Sequence, residues 1–155
     1  MREYIARHLV EAVVEGGSRR KQELGQALAE HLGFQPGPLG PDGGVDGAVY
    51  DEDGRLYHFQ SKLSRRPLGR EEARAYHSDL VYHGAYGGVY LSGDRYVETF
   101  ERRLWGHPGM EAMRGRVHLL TLLDVLLETP TYEAATKAVP TLTSLAQIEW
   151  ARFRD

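Results

Sequence analysis

Two short stretches of this chain hold side chains that can act together. The first is Gly40-Pro41-Asp42-Gly43-Gly44-Val45-Asp46-Gly47, a glycine-rich turn that closes on a carboxylate. The second is Gln60-Ser61-Lys62. Between them, Ala48-Val49-Tyr50 and the run from Arg55 to Lys62 read as strands joined by the polar turn Asp51-Glu52-Asp53-Gly54, a hairpin signal. Side chains alternate faces along a strand. Leu56, His58, Gln60 and Lys62 therefore share one face, and Tyr57, Phe59 and Ser61 the other. The hairpin brings Gln60 and Lys62 back to the strand end that carries Asp46. A carboxylate, an amide oxygen and an ammonium gathered there suit a divalent cation, which prefers hard oxygen ligands, and a phosphate. The chain uses arginine almost everywhere, with Lys21, Lys62 and Lys137 as its lysines, so an ammonium at 62 is itself a mild signal.

The rest of the sequence supplies elements to position these groups. Ile5, Leu9 and Val13, with Val10 and Val14 beside them, predict an amphipathic helix over 3–15, broken by Gly16-Gly17. Ser18 is a candidate cap for a second helix, whose stripe is Leu24, Ala27, Leu28 and Leu32 and whose end is marked by Gly33. Residues 36–44, rich in Gly and Pro, form a loop. A helix from Arg70 to Tyr82, the buried strand Gly87–Ser92, a helix capped by Asp94 and ending near Trp105, the strand Val117–Leu120 and a helix capped by Thr121 follow in turn. Strands alternating with helices at this spacing predict a layered α/β domain. It is expected to close near Thr129-Pro130, giving a domain over 1–130. The segment 131–155 is a C-terminal extension in which Leu142, Leu145 and Ile148 mark a helix that packs on the domain or on a partner chain.

Composition narrows the classes. At 155 residues, 41% hydrophobic and 26% charged, the chain is long enough to bury a core. It has no cysteine, which removes disulfides and thiolate metal sites. No signal peptide and no apolar run near ~20 residues is visible, so a cytoplasmic protein that does not enter a membrane is expected. The formal net charge of −3 argues against a large non-specific nucleic-acid footprint while leaving room for a local basic patch. Ser64-Arg65-Arg66 and Arg70, directly after the second stretch, form such a patch, which can hold phosphates beside the site or be a solvated loop.

The turn Asp42-Gly43-Gly44-Val45-Asp46 followed by Gln60-Ser61-Lys62 resembles the PD-(D/E)xK nuclease superfamily, and within it the Mrr-like restriction endonucleases, over roughly residues 19 to 128. The resemblance implies a restriction endonuclease-like αβα domain with a central mixed sheet of four to five strands, its site where two strands diverge at a sheet edge. It implies metal-dependent hydrolysis of DNA phosphodiester bonds with Mg²⁺ or Mn²⁺. Asp46 would be the main carboxylate ligand, Gln60 would offer its amide oxygen, and Ser61 its backbone carbonyl. Lys62 would orient water or stabilise charge on the phosphate. A further acid from the preceding helix would be Glu23, with Glu30 behind it, although Glu23 also reads as a surface acid. The loop at Gly43 and Gly44 would let the backbone approach substrate, while Asp42 shapes the turn. Gln60 carries no charge where many relatives have Asp or Glu, which should weaken metal affinity unless Glu23 compensates.

Two other readings compete. One is a domain of this fold without catalysis, serving as a nucleic-acid-binding or assembly module. The other is a different enzyme built on the seven histidines, but these show no His-x-x-x-His or similar ligand spacing. A homodimer through the C-terminal helix would suit a protein that cuts both strands.

Overall fold

The structure, a computed structural model, describes residues 2–36 and 46–139. The Gly-Pro-rich loop, with Asp42, Gly43 and Gly44, and the C-terminal helix expected around Leu142 to Ile148 lie outside the described residues. Helices α1 (Glu3–Val14) and α2 (Ser18–His31) lead into a two-residue strand β1 (Gln35–Pro36) and the hairpin β2 (Gly47–Tyr50) and β3 (Leu56–Lys62). Then follow α3 (Arg70–His83), β4 (Gly87–Ser92), α4 (Glu98–Gly106), β5 (Val117–Thr121), α5 (Leu122–Leu127) and α6 (Pro130–Ala138). Among the described residues no helix is long and apolar enough to cross a membrane.

The strands form one mixed sheet in the order β1-β2-β3-β4-β5, four longer strands with the short β1 at an edge. β2 runs antiparallel to its neighbours β1 and β3, and β3, β4 and β5 run parallel. Strand alternation sorts the core into two halves. Tyr57, Phe59, Val89, Leu91 and Leu120 face one side, against Leu9, Leu24, Leu28 and Leu122 of α1, α2 and α5. Tyr90 and Val117 face the other, against Tyr76, Leu80, Phe100 and Leu104 of α3 and α4. The sheet is thus covered by helices on both faces, as the alternation of predicted elements required.

The hairpin forms at the expected turn. The Asp51 carboxylate accepts from the amides of Asp53 and Arg55, both at 2.9 Å, and Gly54 takes the left-handed conformation with φ of 78°. Thr121 caps α5 as expected, accepting from the Asp124 amide while Asp124 returns to the Thr121 amide. Two other caps differ. Gly17 rather than Ser18 precedes α2, leaving Ser18 inside the first turn. Asp94 does not start α4. The chain instead bends at Gly93 and Asp94 and runs on through Tyr96, which bridges to Leu68, to the cap Val97. That bridge ties the segments entering α3 and α4 together at one end of the sheet, with Leu68 N donating to Arg95 O and Val97 N to Leu68 O.

Tyr96, swung inward by this segment, places its hydroxyl 2.7 Å from Tyr90 O and 2.8 Å from Leu120 O, across the two parallel strands. A buried hydroxyl lost to phenylalanine leaves a carbonyl unpaired, so Tyr96→Phe is expected to cost about 1–2 kcal/mol in chemical denaturation. An unchanged midpoint would show that the hydroxyl contributes nothing. Packing also continues past Pro130. Tyr132, Ala135 and Val139 of the α6 segment are buried in the core half that holds α1, α2 and α5.

Candidate functional site

Asp46 stands where β2 and β3 part. Its amide still donates to Phe59 O at 2.9 Å, extending the ladder by one residue. Its side chain then turns across the strand end. Asp46 Oδ2 accepts from Ser61 N at 2.6 Å and from Ser61 Oγ at 2.8 Å. Ser61 lies on the α2 side of β3, the same side as Tyr57 and Phe59, so this pair of bonds draws the carboxylate beneath α2. Burial raises the Asp46 carboxyl above its ordinary range, and the two bonds from Ser61 work against that shift.

Space for this arrangement comes from Gly25, buried in the middle of α2. A Cβ there would fall 2.4 Å from Ser61 Oγ and 3.3 Å from Asp46 Oδ1. The place a methyl would take is used by Ser61 Oγ, with Asp46 Oδ1 at its edge. Gly25→Ala is expected to push Ser61 Oγ off Asp46, at a cost of about 1–2 kcal/mol from overpacking and the lost bond. Adding Ser61→Ala should recover most of that loss in a double-mutant cycle. Additive losses would mean that the helix, not the serine, absorbs the methyl.

A cleft of about 340 Å³ opens beside this carboxylate, lined by Ser18, Lys21, Gln22, Asp46, Ser61, Lys62 and Ser64 with Leu63. Lys62 is exposed at the end of β3. It also lies near Glu72 of α3, whose carboxyl is lowered although burial alone would raise it; hydrogen bonds from its own backbone and from Gly69 N outweigh the burial, and Lys62 and Arg66 add to the shift. Among the described residues neither Lys21 nor Lys62 forms an ion pair with a carboxylate. One anion and two uncommitted ammonium groups thus face the same small volume.

Several expected residues fall elsewhere. Gln60 does not line the cleft. It is 5% exposed and points to the α3 face, beside Tyr90 in the parallel register. The reason is strand alternation: Ser61 faces α2, so its neighbour Gln60 faces α3, and Asp46 has crossed to the side of Ser61. Gln60 Nε2 makes no hydrogen bond of good geometry, yet lies close enough to Asp79 to favour that carboxylate against the burial that raises it. Glu23 is also displaced. It is exposed and pairs with Arg19 at 3.3 Å. At 3.6 residues per turn, Glu23 lies roughly 160° around α2 from the site-facing Gly25, whereas Lys21 and Gln22 lie within about 60° of it. Those two residues, missed in the sequence, are the ones α2 brings to the cleft; counting back from the buried Leu24, Gly25 and Leu28 is the signal that finds them.

The basic patch is also divided. Arg65 pairs with Glu15 at 2.5 Å and Arg66 with Glu72 at 3.2 Å, so two of its arginines already have acidic partners. Exposed pairs of this kind hold little energy and can be exchanged for phosphate. Arg70 belongs to a separate cleft with residues of α4.

A divalent ion is compatible with this site in one particular way. The Asp46 carboxylate lines the cleft with its Oδ2 held by Ser61, and the neighbouring donors, the Gln22 amide and the serine hydroxyls, are hard oxygens. Among the described residues no group of three or more His, Cys, Asp or Glu side chains gathers around a point. That donor set fits Mg²⁺ held by one carboxylate with waters and substrate phosphates completing the octahedron, not an ion caged by protein alone. No protein-family model matches the chain, and no curated protein matches it significantly.

Proposed function

We propose that this protein is a metal-dependent nuclease that hydrolyses phosphodiester bonds of DNA, a PD-(D/E)xK enzyme of the Mrr-like type. The observation that supports it most is the juxtaposition of Asp46, fixed by Ser61 N and Oγ, with Lys62 and Lys21 around one cleft. Asp46 would hold the ion through Oδ1, with substrate phosphate oxygens as further ligands. When bound, the ion supplies Lewis acidity at the phosphate and activation of a water. The chain's own groups do the rest. Ser61 holds the Asp46 carboxylate in one orientation. Lys62 places an ammonium beside the phosphate, where negative charge grows in the transition state and a fixed cation counts most. Lys21, on the α2 wall, neutralises a second phosphate oxygen or the neighbouring phosphate and so sets the strand's path through the cleft.

A second reading has its own support. Gln60 and Glu23 both point away from the cleft, which leaves Asp46 as its lone lining carboxylate among the described residues. A site with so few anions also suits a module that binds nucleic acid without cutting it. The deciding experiment incubates the purified protein with supercoiled plasmid, methylated plasmid, branched DNA and single strands in Mg²⁺ or Mn²⁺, with EDTA controls. Cleavage that needs the metal and disappears in Asp46→Asn supports the enzyme. Binding without cleavage under every condition supports the module.

A further inference from the structure

On the solvent side of α3 and α4 lies a second cleft, of about 430 Å³, lined by Arg70, Thr99, Arg102, Arg103 and His107 with Gly106 and Pro108. Among the described residues its lining contains three guanidinium groups, an imidazole and a hydroxyl, and no carboxylate. In a chain of net charge −3 this is a local reversal of sign. The helical register creates it: Thr99, Arg102, Arg103 and Gly106 recur at three- and four-residue steps and so share one face of α4. The opposite face carries the buried Phe100 and Leu104. Arg70, the first residue of α3, closes the cleft from the neighbouring helix. His107 is held in place by stacking on His77 of α3, with ring centroids 3.8 Å apart and planes within 6°.

The charges here are only partly spent. Arg102 pairs with Glu98 at 2.5 Å. Arg70 and Arg103 form no ion pair with any described carboxylate. Guanidinium groups left unpaired beside a hydroxyl, in a concave surface without acids, make a receptor for phosphate oxygens. Its place in the fold says what kind of phosphate. α3 and α4 both start from the sheet end where β3 and β4 finish, tied there by the Leu68–Tyr96 bridge. The Asp46 cleft opens at that same end, and only the seven residues from Leu63 to Gly69 separate Lys62 from Arg70. An isolated phosphate would not use both clefts. A polyanion with regularly spaced phosphates would.

We propose that the Arg70–Arg102–Arg103 cleft is a second phosphate-binding site, which holds the backbone of a nucleic-acid strand at a distance from the Asp46 cleft. The inference rests on the reading of the chain as a protein of nucleic acids, but not on cleavage. Its test is therefore a binding measurement in EDTA. A fluorescent 30-nucleotide single strand and the matching duplex are titrated by anisotropy at several salt concentrations. The proteins are the wild type, Arg70→Gln/Arg103→Gln and Arg103→Lys. Each site neutralised removes about one phosphate contact, so the double variant is expected to lower affinity at least tenfold and to reduce the slope of log K against log salt by roughly 1.5. Arg103→Lys should keep most of the slope. The replaced side chains are exposed, and an unchanged melting curve confirms the fold of the double variant. An unaltered affinity and slope in the double variant overturn the proposal, as does a wild type that binds neither strand form. So does tight binding of polyglutamate with the same loss in the double variant, since the cleft would then take acidic peptide. Failure of the nuclease reading looks different: no cleavage in Mg²⁺ or Mn²⁺, with the arginine-dependent binding intact.

Discussion

Asp46→Asn should keep the fold but lose cleavage by roughly 10³-fold, a loss in the range set by removing a charge that acts on the transition state. Asparagine is nearly the same size, and its carbonyl oxygen can still accept from Ser61 N. The bonds that place residue 46 therefore survive in part. What disappears is the negative charge of the carboxylate that lines the cleft. Lys62→Met tests the other half of the site. The methionine keeps the aliphatic length and removes the ammonium, and a loss of roughly 10²–10³ in kcat is expected if the charge acts in the transition state. Lys21→Met should act more on KM than on kcat, because a group that holds a neighbouring phosphate contributes to ground-state and transition-state binding alike. Ser61→Ala keeps the backbone amide bond and loses only the hydroxyl, so a roughly tenfold drop is expected, the worth of about one hydrogen bond. The ranking matters as much as any one value. Cleavage by Asp46→Asn at the wild-type rate would remove the carboxylate from the chemistry. A Lys21→Met that is worse than Lys62→Met would move the catalytic ammonium from β3 to α2.

Most of the framework was legible because it depends on local signals. The Asp51-to-Gly54 turn sets the hairpin and its register, and from that register come the two faces of β3. Gly87 to Ser92 reads as a buried strand because it is apolar and bounded by glycine, and all six residues are indeed buried. What escaped were features made by distant contacts. Asp94 resembles a cap in the sequence. In the fold, the chain after β4 first pairs with the segment before α3, and this bridge delays the helix to Glu98. Nothing within five residues of Asp94 announces Leu68.

The site shows the same division. That Asp46, Ser61 and Lys62 lie together was legible because their spacing across a hairpin is short. Gln60 was placed wrongly because period-2 alternation was followed for β3 but not for Asp46, whose amide makes the last bond of the ladder while its side chain turns away from the pleat. Its carboxylate reaches over the strand end to the side of Ser61. Glu23 was chosen for its charge. The helix presents Gln22 and Lys21 instead, and helical phase relative to Leu24 and Leu28 decides that, not residue type. The arginines of 65 and 66 looked free because their partners, Glu15 and Glu72, are 50 and 6 residues away.

Gln60 shares its side of β3 with a second buried polar group, and this pairing has a consequence for acid stability. His58 is 2% exposed, its ring lies 4.8 Å from that of His83 in an edge-on arrangement, and its Nδ1 has no hydrogen-bond partner among the described residues. Burial, with His83 adding to it, lowers the His58 pKa from 6.5 to about 4. The unfolded chain, with the ordinary value, therefore takes up this proton first on acidification. Stability from His58 is complete above about pH 6.5 and is lost as the pH falls towards 4, by up to about 3 kcal/mol. His118, also lowered by burial, acts in the same direction. Asp46 and Asp79, both raised by burial, oppose it, because the folded protein protonates them first. The net curve mixes these groups, so the difference between wild type and His58→Leu isolates the histidine. Leucine fills similar volume without a polar atom left unpaired, and at pH 7 the variant should be as stable as the wild type or slightly more so. Urea unfolding at pH 7.0, 5.5 and 4.5 should show the wild type losing about 2–3 kcal/mol more than His58→Leu across that range. Parallel losses in the two proteins would mean that His58 takes up its proton inside the folded structure without penalty, and that the α3 face of β3 admits a charge it has no partner to satisfy.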